Sequence, residues 1–323
     1  MNRLKYISIA MCLLSVLPLS AQTEPADGRF ELLKYGHMDE WVVRHIKESG
    51  IIGGKTKTLY EVGPVRTLDG NEAYSNLGGS PWGTSNVLAR VSGITKTNTT
   101  VVREARGDGA CARLETHIET VKVLGLINIR VLAAGSVFLG DMKEPITGTK
   151  DGPKAMNAGI PFTRRPKALR FDYRVRLSGE PDRIKLTGFS GQEKVEGKDL
   201  CTVTLSLQRR TEDAQGRITA RRVGTLVVEY AASTDGWVEA ATYPILYGDL
   251  TGRPEYDAAR MELRTDLHAR NSRGESVPIQ ETGWAEADEE PTHLCLQFAS
   301  SHGGAYIGSP GNTLWIDNVG LVY

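Results

Sequence analysis

The sequence predicts an all-β fold, an antiparallel jelly-roll β-sandwich with a short N-terminal helical lead-in, and three observations carry that prediction. From Thr58 onward the chain is a series of short runs rich in β-branched and aromatic residues, punctuated by Gly, Pro, Asp and Asn. One run, Leu169 to Leu177, alternates strictly: Leu169, Phe171, Tyr173, Val175 and Leu177 are apolar, while Arg170, Asp172, Arg174 and Arg176 are charged. A strand that buries one face and wets the other has that pattern. The chain ends on NTLWIDNVGLVY (Asn312 to Tyr323), whose one acid, Asp317, stands beside Asn318. This reads as the closing strand of a jelly roll, although the same pair also suits a bulge or turn in an ordinary last strand.

Residues 1–21 carry the three parts of a secretory signal: Arg3 and Lys5, an apolar run from Tyr6 to Leu19, then Ser20 and Ala21. The apolar run is shorter than the roughly 20 residues that span a bilayer and is broken by Ser8, Ser15 and Pro18, so cleavage after Ala21 is expected rather than anchoring. The expectation is a soluble exported protein, periplasmic or extracellular, with no membrane span in its mature chain. A lead-in over residues 22–57 follows. In it Trp41, Val42, His45 and Ile46 recur at helical spacing and predict a helix of two or three turns ended by Gly50. The glycines of IIGGKTK (Ile51 to Lys57) lack the strand-loop-helix context of a phosphate-binding loop and read as a turn.

Residues 58–323 are expected to form one sandwich domain. Further strand-like runs are Ala112 to Thr120, Cys201 to Gln208, Arg222 to Tyr230 and Thr292 to Ser300, and no later segment offers a long helical stripe. The Gly-, Pro- and Lys-rich stretch Ala133 to Pro161 reads as a long surface loop. The 39 basic and 39 acidic residues balance, which argues against a nucleic-acid role. Beyond the signal, Cys111, Cys201 and Cys295 lie far apart with no paired metal-ligand spacing, and buried free thiols are expected.

Several stretches taken together resemble the putative carbohydrate metabolism domain (PCMD) family of exported Bacteroidetes proteins. They are GHMDEW (Gly36 to Trp41), GSPWGTSN (Gly79 to Asn86), GIPFTRRPKALRFDY (Gly159 to Tyr173), SSHGGAYIG (Ser300 to Gly308) and the closing GNTLWIDNVGLVY. The resemblance implies a galactose-binding-like sandwich and a role in glycan handling, without implying a defined reaction. This chain departs from the family pattern at its opening, where His37, Met38 and Asp39 replace a Gly-Asp-Phe-Glu type of sequence.

Sugar recognition needs an aromatic face for the apolar side of a pyranose and polar groups for its hydroxyls. The candidates are Trp82, Trp237, Trp284 and Tyr306, with Arg170, Arg174 and Arg176 on one exposed strand face and Arg164 and Arg165 nearby. The bland reading of each tryptophan is core packing, and of the arginine face, pairing with acids on a neighbouring strand. A structural calcium ion tying the first strand to the last would use Asp317 with Asp39 or Glu40. The acids offer no distinct catalytic pair. Ser301 and His302 are adjacent, so in a strand they face opposite ways, and no nucleophile elbow surrounds them. The expected function is therefore non-catalytic glycan recognition in polysaccharide or glycoconjugate use. A glycan-active hydrolase or lyase, and an adhesion or structural module that binds another exported protein, are the alternatives.

Overall fold

The computed structural model describes residues 28–75, 79–123, 127–148, 151–188 and 191–323. The expected signal, residues 1–21, lies outside the described residues.

The fold is a β-sandwich. One sheet has six strands, in the order Val238–Pro244, Ala168–Arg176, Thr313–Val322, Gly109–Glu115 and Val101–Arg106, with Phe30–Leu32 also paired to the closing strand Thr313–Val322. The other has ten. Its main path runs Met156–Ala158, Ser136–Met142, His293–Ala299, Cys201–Glu212, Ile218–Tyr230, Ser276–Trp284 and His268–Arg270. Pairing is antiparallel throughout these two sheets except between Ile218–Tyr230 and Ser276–Trp284.

Alternation decides what lies between the sheets. Leu169, Phe171 and Val175 point inward with Leu314, Ile316 and Leu321 to meet Val203, Leu205, Leu207, Leu294, Leu296 and Phe298 of the ten-stranded sheet. Phe171 and Phe298 meet edge to face across the sandwich, with centroids 5.0 Å apart. The predicted alternation of Leu169 to Leu177 thus holds, and its charged residues line the outer face. The three cysteines beyond the signal are free and buried. Burial, with Glu104 and Asp317 adding to it, pushes the Cys111 thiol up to about 12.

The predicted helix at Trp41 to Gly50 is instead a strand, Trp41–Lys47, antiparallel to Thr56–Val62 and parallel to Arg66–Asp69. The reason is Arg44. The chain alternates Val42, Arg44, Ile46 on a buried face, but an arginine there breaks the apolar pattern to the eye. Arg44 is buried because its guanidinium bonds Glu61 Oε1 at 3.2 Å and Glu144 Oε2 at 2.6 Å. The helical content of this region is a single 3₁₀ turn, Gly50–Ile52, closed by Gly53 at φ 108°. The boundary at residues 57 and 58 falls inside the strand Thr56–Val62. The hairpin Val87–Val91 and Ile94–Asn98 adds Leu88 to a small core with Ile46 and Leu59.

The stretch Ala133 to Pro161 is not a long loop. It contains Ser136–Met142, whose first five residues are buried and which pairs with His293–Ala299. Its glycines serve close packing: Gly140, at φ 137°, lies against the Asn157 backbone, where a Cβ has no room.

Candidate functional site

The outer face of the six-stranded sheet gathers most of the polar residues that the sequence singled out. In register, Asp172 faces Asp317, Arg174 faces Trp315 and Arg176 faces Thr313. Trp315 faces Arg113 on its other side. Arg106 and Glu104 come from the edge strand Val101–Arg106, Trp237 from the turn before Val238–Pro244 and Glu239 from that strand.

Pairing is irregular at the row of Asp172. The register of Ala168–Arg176 shifts on both sides, between Arg170 and Asp172 against the closing strand and between Phe171 and Tyr173 against Val238–Pro244. Two non-glycine residues on the flanking strands, Ala240 and Asn318, take a left-handed backbone, each at φ 51°. Bulges of this kind re-aim side chains and backbone groups. Here they turn the Ala240 amide onto Asp172 Oδ1 at 2.6 Å and the Asn318 amide onto Asp317 Oδ1 at 2.8 Å.

Arg106 closes the centre. Its Nη1 donates to Asp172 Oδ2 and to Asp317 Oδ2, each at 2.7 Å, while Nη2 reaches Glu239 at 3.3 Å. Asn318 Nδ2 adds a bond to Asp172 Oδ2 at 2.8 Å. The two carboxyls are pushed in opposite directions. Burial raises Asp172, but the bonds from Ala240, Asn318 and Arg106 outweigh it and leave its pKa below the usual value. Asp317 has fewer such bonds, so burial wins and its pKa is raised.

Beside this knot, arginines and tryptophans interleave. Arg106 lies 3.9 Å from the Trp237 ring centroid, Arg174 5.9 Å from Trp237 and 3.9 Å from Trp315, and Arg176 5.7 Å from Trp315. Trp315 Nε1 donates to Glu104 Oε1 at 2.9 Å, and Glu104 Oε2 takes Arg113 at 3.0 Å. Arg174 reaches Glu104 at 3.5 Å, and Arg176 Nη2 reaches Thr313 Oγ1 at 3.2 Å. Arg170 stacks on Phe30, with its guanidinium carbon 4.2 Å from the ring centroid. Trp237 is half-buried, Trp315 buried. The arrangement offers fixed donors, carboxylate acceptors and a partly open indole on one surface.

Other candidates fall elsewhere. Trp82, 1% exposed, is a core residue whose Nε1 donates to the Lys34 carbonyl at 2.8 Å, so it presents no surface to a ligand. Trp284 stands at the ten-stranded sheet, edge-on to Tyr256 at 6.1 Å. Tyr306 sits at φ 66° in the turn between Ser301 and Ile307, its carbonyl accepting from Leu186 at 3.0 Å. Arg164 stacks on Tyr323 and Arg165 on Tyr247.

The expected calcium ligands do not form a set. Asp317 gives one oxygen to a guanidinium and the other to an amide, while Asp39 Oδ1 accepts from Ala110 N at 2.7 Å and its Oδ2 lies 3.3 Å from His37 Nδ1, with Glu40 3.9 Å from the other ring nitrogen. Among the described residues no group of three or more His, Cys, Asp or Glu side chains is placed to hold a metal ion. Ser301 and His302 do not form a triad either: Ser301 Oγ donates to the buried Asp199 at 2.9 Å, and His302 Nδ1 lies 3.1 Å from that same oxygen.

The sequence reading missed Arg106, Glu104, Arg113 and Glu239. Arg106 ends a strand at the tight turn ARGDG, and nothing local marks it as the residue that will bridge two distant acids.

The chain matches the family described as "Putative carbohydrate metabolism domain" over residues 60–322. No curated protein matches it. Among solved structures it resembles the crystal structure of a putative glycoside hydrolase from Bacteroides thetaiotaomicron VPI-5482, at 19% identity and a TM-score of 0.43, over 84% of this chain and 76% of that one. A likeness this distant carries no argument about chemistry. No helix among the described residues is long and apolar enough to cross a membrane.

Proposed function

The chain belongs to the putative carbohydrate metabolism domain family, and from that premise we propose that it is an exported glycan-recognition protein whose binding surface is the outer face of the six-stranded sheet. The observation that carries this reading is the setting of Trp237. Its half-open ring is held by Arg106, which also reaches Glu239, and is approached by Arg174, which links it to Glu104 and the neighbouring Trp315. A pyranose stacks its apolar face on such an indole and shares its hydroxyls among guanidinium and carboxylate groups. Cation–π contacts and ion pairs fix these groups beforehand, so little side-chain freedom is lost on binding.

One observation favours a second reading, cleavage of the glycan. Asp172 and Asp317 are neighbouring carboxyls whose environments push their pKa values apart, as an acid and base pair requires. Against it, both side chains are about nine-tenths buried and each is already bound to Arg106.

The test is a glycan array on the chain from Gln22 to Tyr323, with reducing-sugar release followed in parallel. Saturable binding without release, weakened at least tenfold by Trp237→Ala, supports recognition. Release abolished by Asp317→Asn would move the function to the acid pair. Silence in both assays would leave the adhesion module.

A further inference from the structure

The opposite sheet carries a second polar surface that the first reading does not use. On the outer face of the ten-stranded sheet, Phe138, Gln297, Thr204 and Val227 form one cross-strand row, and Cys295, Ser206 and Thr225 form the next. These rows floor a cleft of about 50 Å³. Its walls are Met156 on one side and, on the other, the Arg260 to Leu267 segment, which leaves the sheet and folds back over it.

The floor is unusual in its hydrogen bonding. Thr225 Oγ1 accepts from Arg222 Nη1 at 3.3 Å. The side chains of Thr204, Ser206 and Gln297 make no hydrogen bond to other described residues, and none of their polar atoms is sealed from solvent without a partner. Ser206 is only 9% exposed, and what is exposed faces the cleft. A serine this far buried is normally paired, while Thr204 and Gln297 beside it are half-buried. Their open valences point into one small space.

The wall is pinned rather than loose. Arg222 and Glu281, both buried, pair beneath it; Glu281 Oε2 accepts from the Arg264 amide at 2.7 Å, and the Glu262 carbonyl accepts from Arg222 Nη2 at 3.5 Å. Gln208 Nε2 completes the network on Glu281 Oε1 at 2.6 Å. A buried ion pair adds little net stability by itself. This one fixes the height of the wall above the floor.

We infer that this cleft is a second saccharide site, which takes the hydroxyl edge or hydroxymethyl arm of a neutral hexopyranose. Size sets the first limit: about 50 Å³ holds a few waters or one exocyclic arm, far below the several hundred Å³ of a pocket that engulfs a small molecule. Charge sets the second. Arg260 and Arg264 are already paired with Asp257 and Asp266, so no unpaired cation recommends an anion. Hydroxyl, hydroxyl and amide from Thr204, Ser206 and Gln297 match a ligand rich in hydroxyls, and the half-buried Val227 flanks them with apolar surface. Sites on opposite sheets would let one molecule bridge two glycan chains, a multivalent gain that neither face supplies alone.

The test titrates the full chain with the methyl glycosides of glucose, galactose and mannose, by calorimetry or saturation-transfer NMR, alongside Thr204→Val, Gln297→Leu and Trp237→Ala. Thr204→Val keeps the side-chain volume, and thermal melts check that each variant folds. The expected result is a saturable component of binding by at least one glycoside that persists when the Trp237 face is removed by Trp237→Ala, and that Thr204→Val and Gln297→Leu each weaken tenfold or more in that background. No saturable binding, or binding untouched by both cleft variants, overturns the inference. Oligosaccharide binding lost only in Trp237→Ala would leave the first face standing without the second, and loss only in the cleft variants would do the reverse.

Discussion

Asp172 and Asp317 sit directly opposite each other on adjacent strands and share a single guanidinium nitrogen, Arg106 Nη1, at 2.7 Å from each. Two like charges at this spacing are tolerable only with the cation between them. Arg106→Ala should therefore cost about 3–5 kcal/mol at neutral pH, the usual penalty for orphaning a buried ionic partner. Urea unfolding at pH 7 checks it. Part of the loss should return as the pH is lowered, because burial makes Asp317 take up a proton more readily than an ordinary carboxyl; an equal loss at acid and neutral pH would contradict the arrangement.

Two tryptophans with similar surroundings in the sequence should behave in opposite ways. Trp82→Ala empties a core position and should destabilise the fold by about 3–5 kcal/mol. Trp237→Ala, at a half-open surface, should shift the unfolding midpoint far less while weakening glycan binding at the six-stranded face at least tenfold. Chemical unfolding of both variants beside a binding titration separates the two roles.

Glu61 should make the protein less stable as the pH rises. Burial lifts its pKa from 4.5 to about 8, only partly offset by Arg44. Below 4.5 the group is protonated in both folded and unfolded chains and costs nothing. Between 4.5 and 8 the unfolded chain gives up its proton first, so stability falls with rising pH, by up to about 1.4 kcal/mol per unit, and the full penalty stands above 8. In Glu61→Gln this component should vanish. Melting curves from pH 5 to 9 on both proteins would show it, and identical slopes would refute it.

Cys111, Cys201 and Cys295 should resist a thiol reagent such as dithionitrobenzoate in the native chain from Gln22 and react in 6 M guanidinium. All three are buried, and burial raises the pKa of Cys111 and Cys201, which suppresses the thiolate that attacks. Rapid native labelling of any of them would point to local opening of its strand.

The sandwich was legible because its strands obey a simple rule: in Leu169 to Leu177 every second residue is apolar, and these face the core, while Asp172 on the other face is covered by Arg106. The strand Trp41–Lys47 was not, because Arg44 occupies a core position whose compensation comes from Glu61 and Glu144, 17 and 100 residues away. The same distance effect hid half of the candidate site. Trp237 and the arginines of Ala168–Arg176 announce themselves by residue type and local pattern. Arg106 takes its meaning from acids 66 and 211 residues further on. A period of two is visible within one strand, whereas charge pairing across strands depends on register that the sequence does not spell out.

The short strand Phe30–Leu32 lies antiparallel to the end of the closing strand, Phe30 against Val322 and Leu32 against Gly320. Gly28 and Tyr323 therefore emerge side by side. A force that drew them apart, as when one end is held at a surface and the other is tugged by a bound partner, would break the rungs of that pair in succession, like a zipper, rather than all together in shear. Under tension Phe30–Leu32 should be the first element to peel, leaving the closing strand still held by Ala168–Arg176 and Gly109–Glu115.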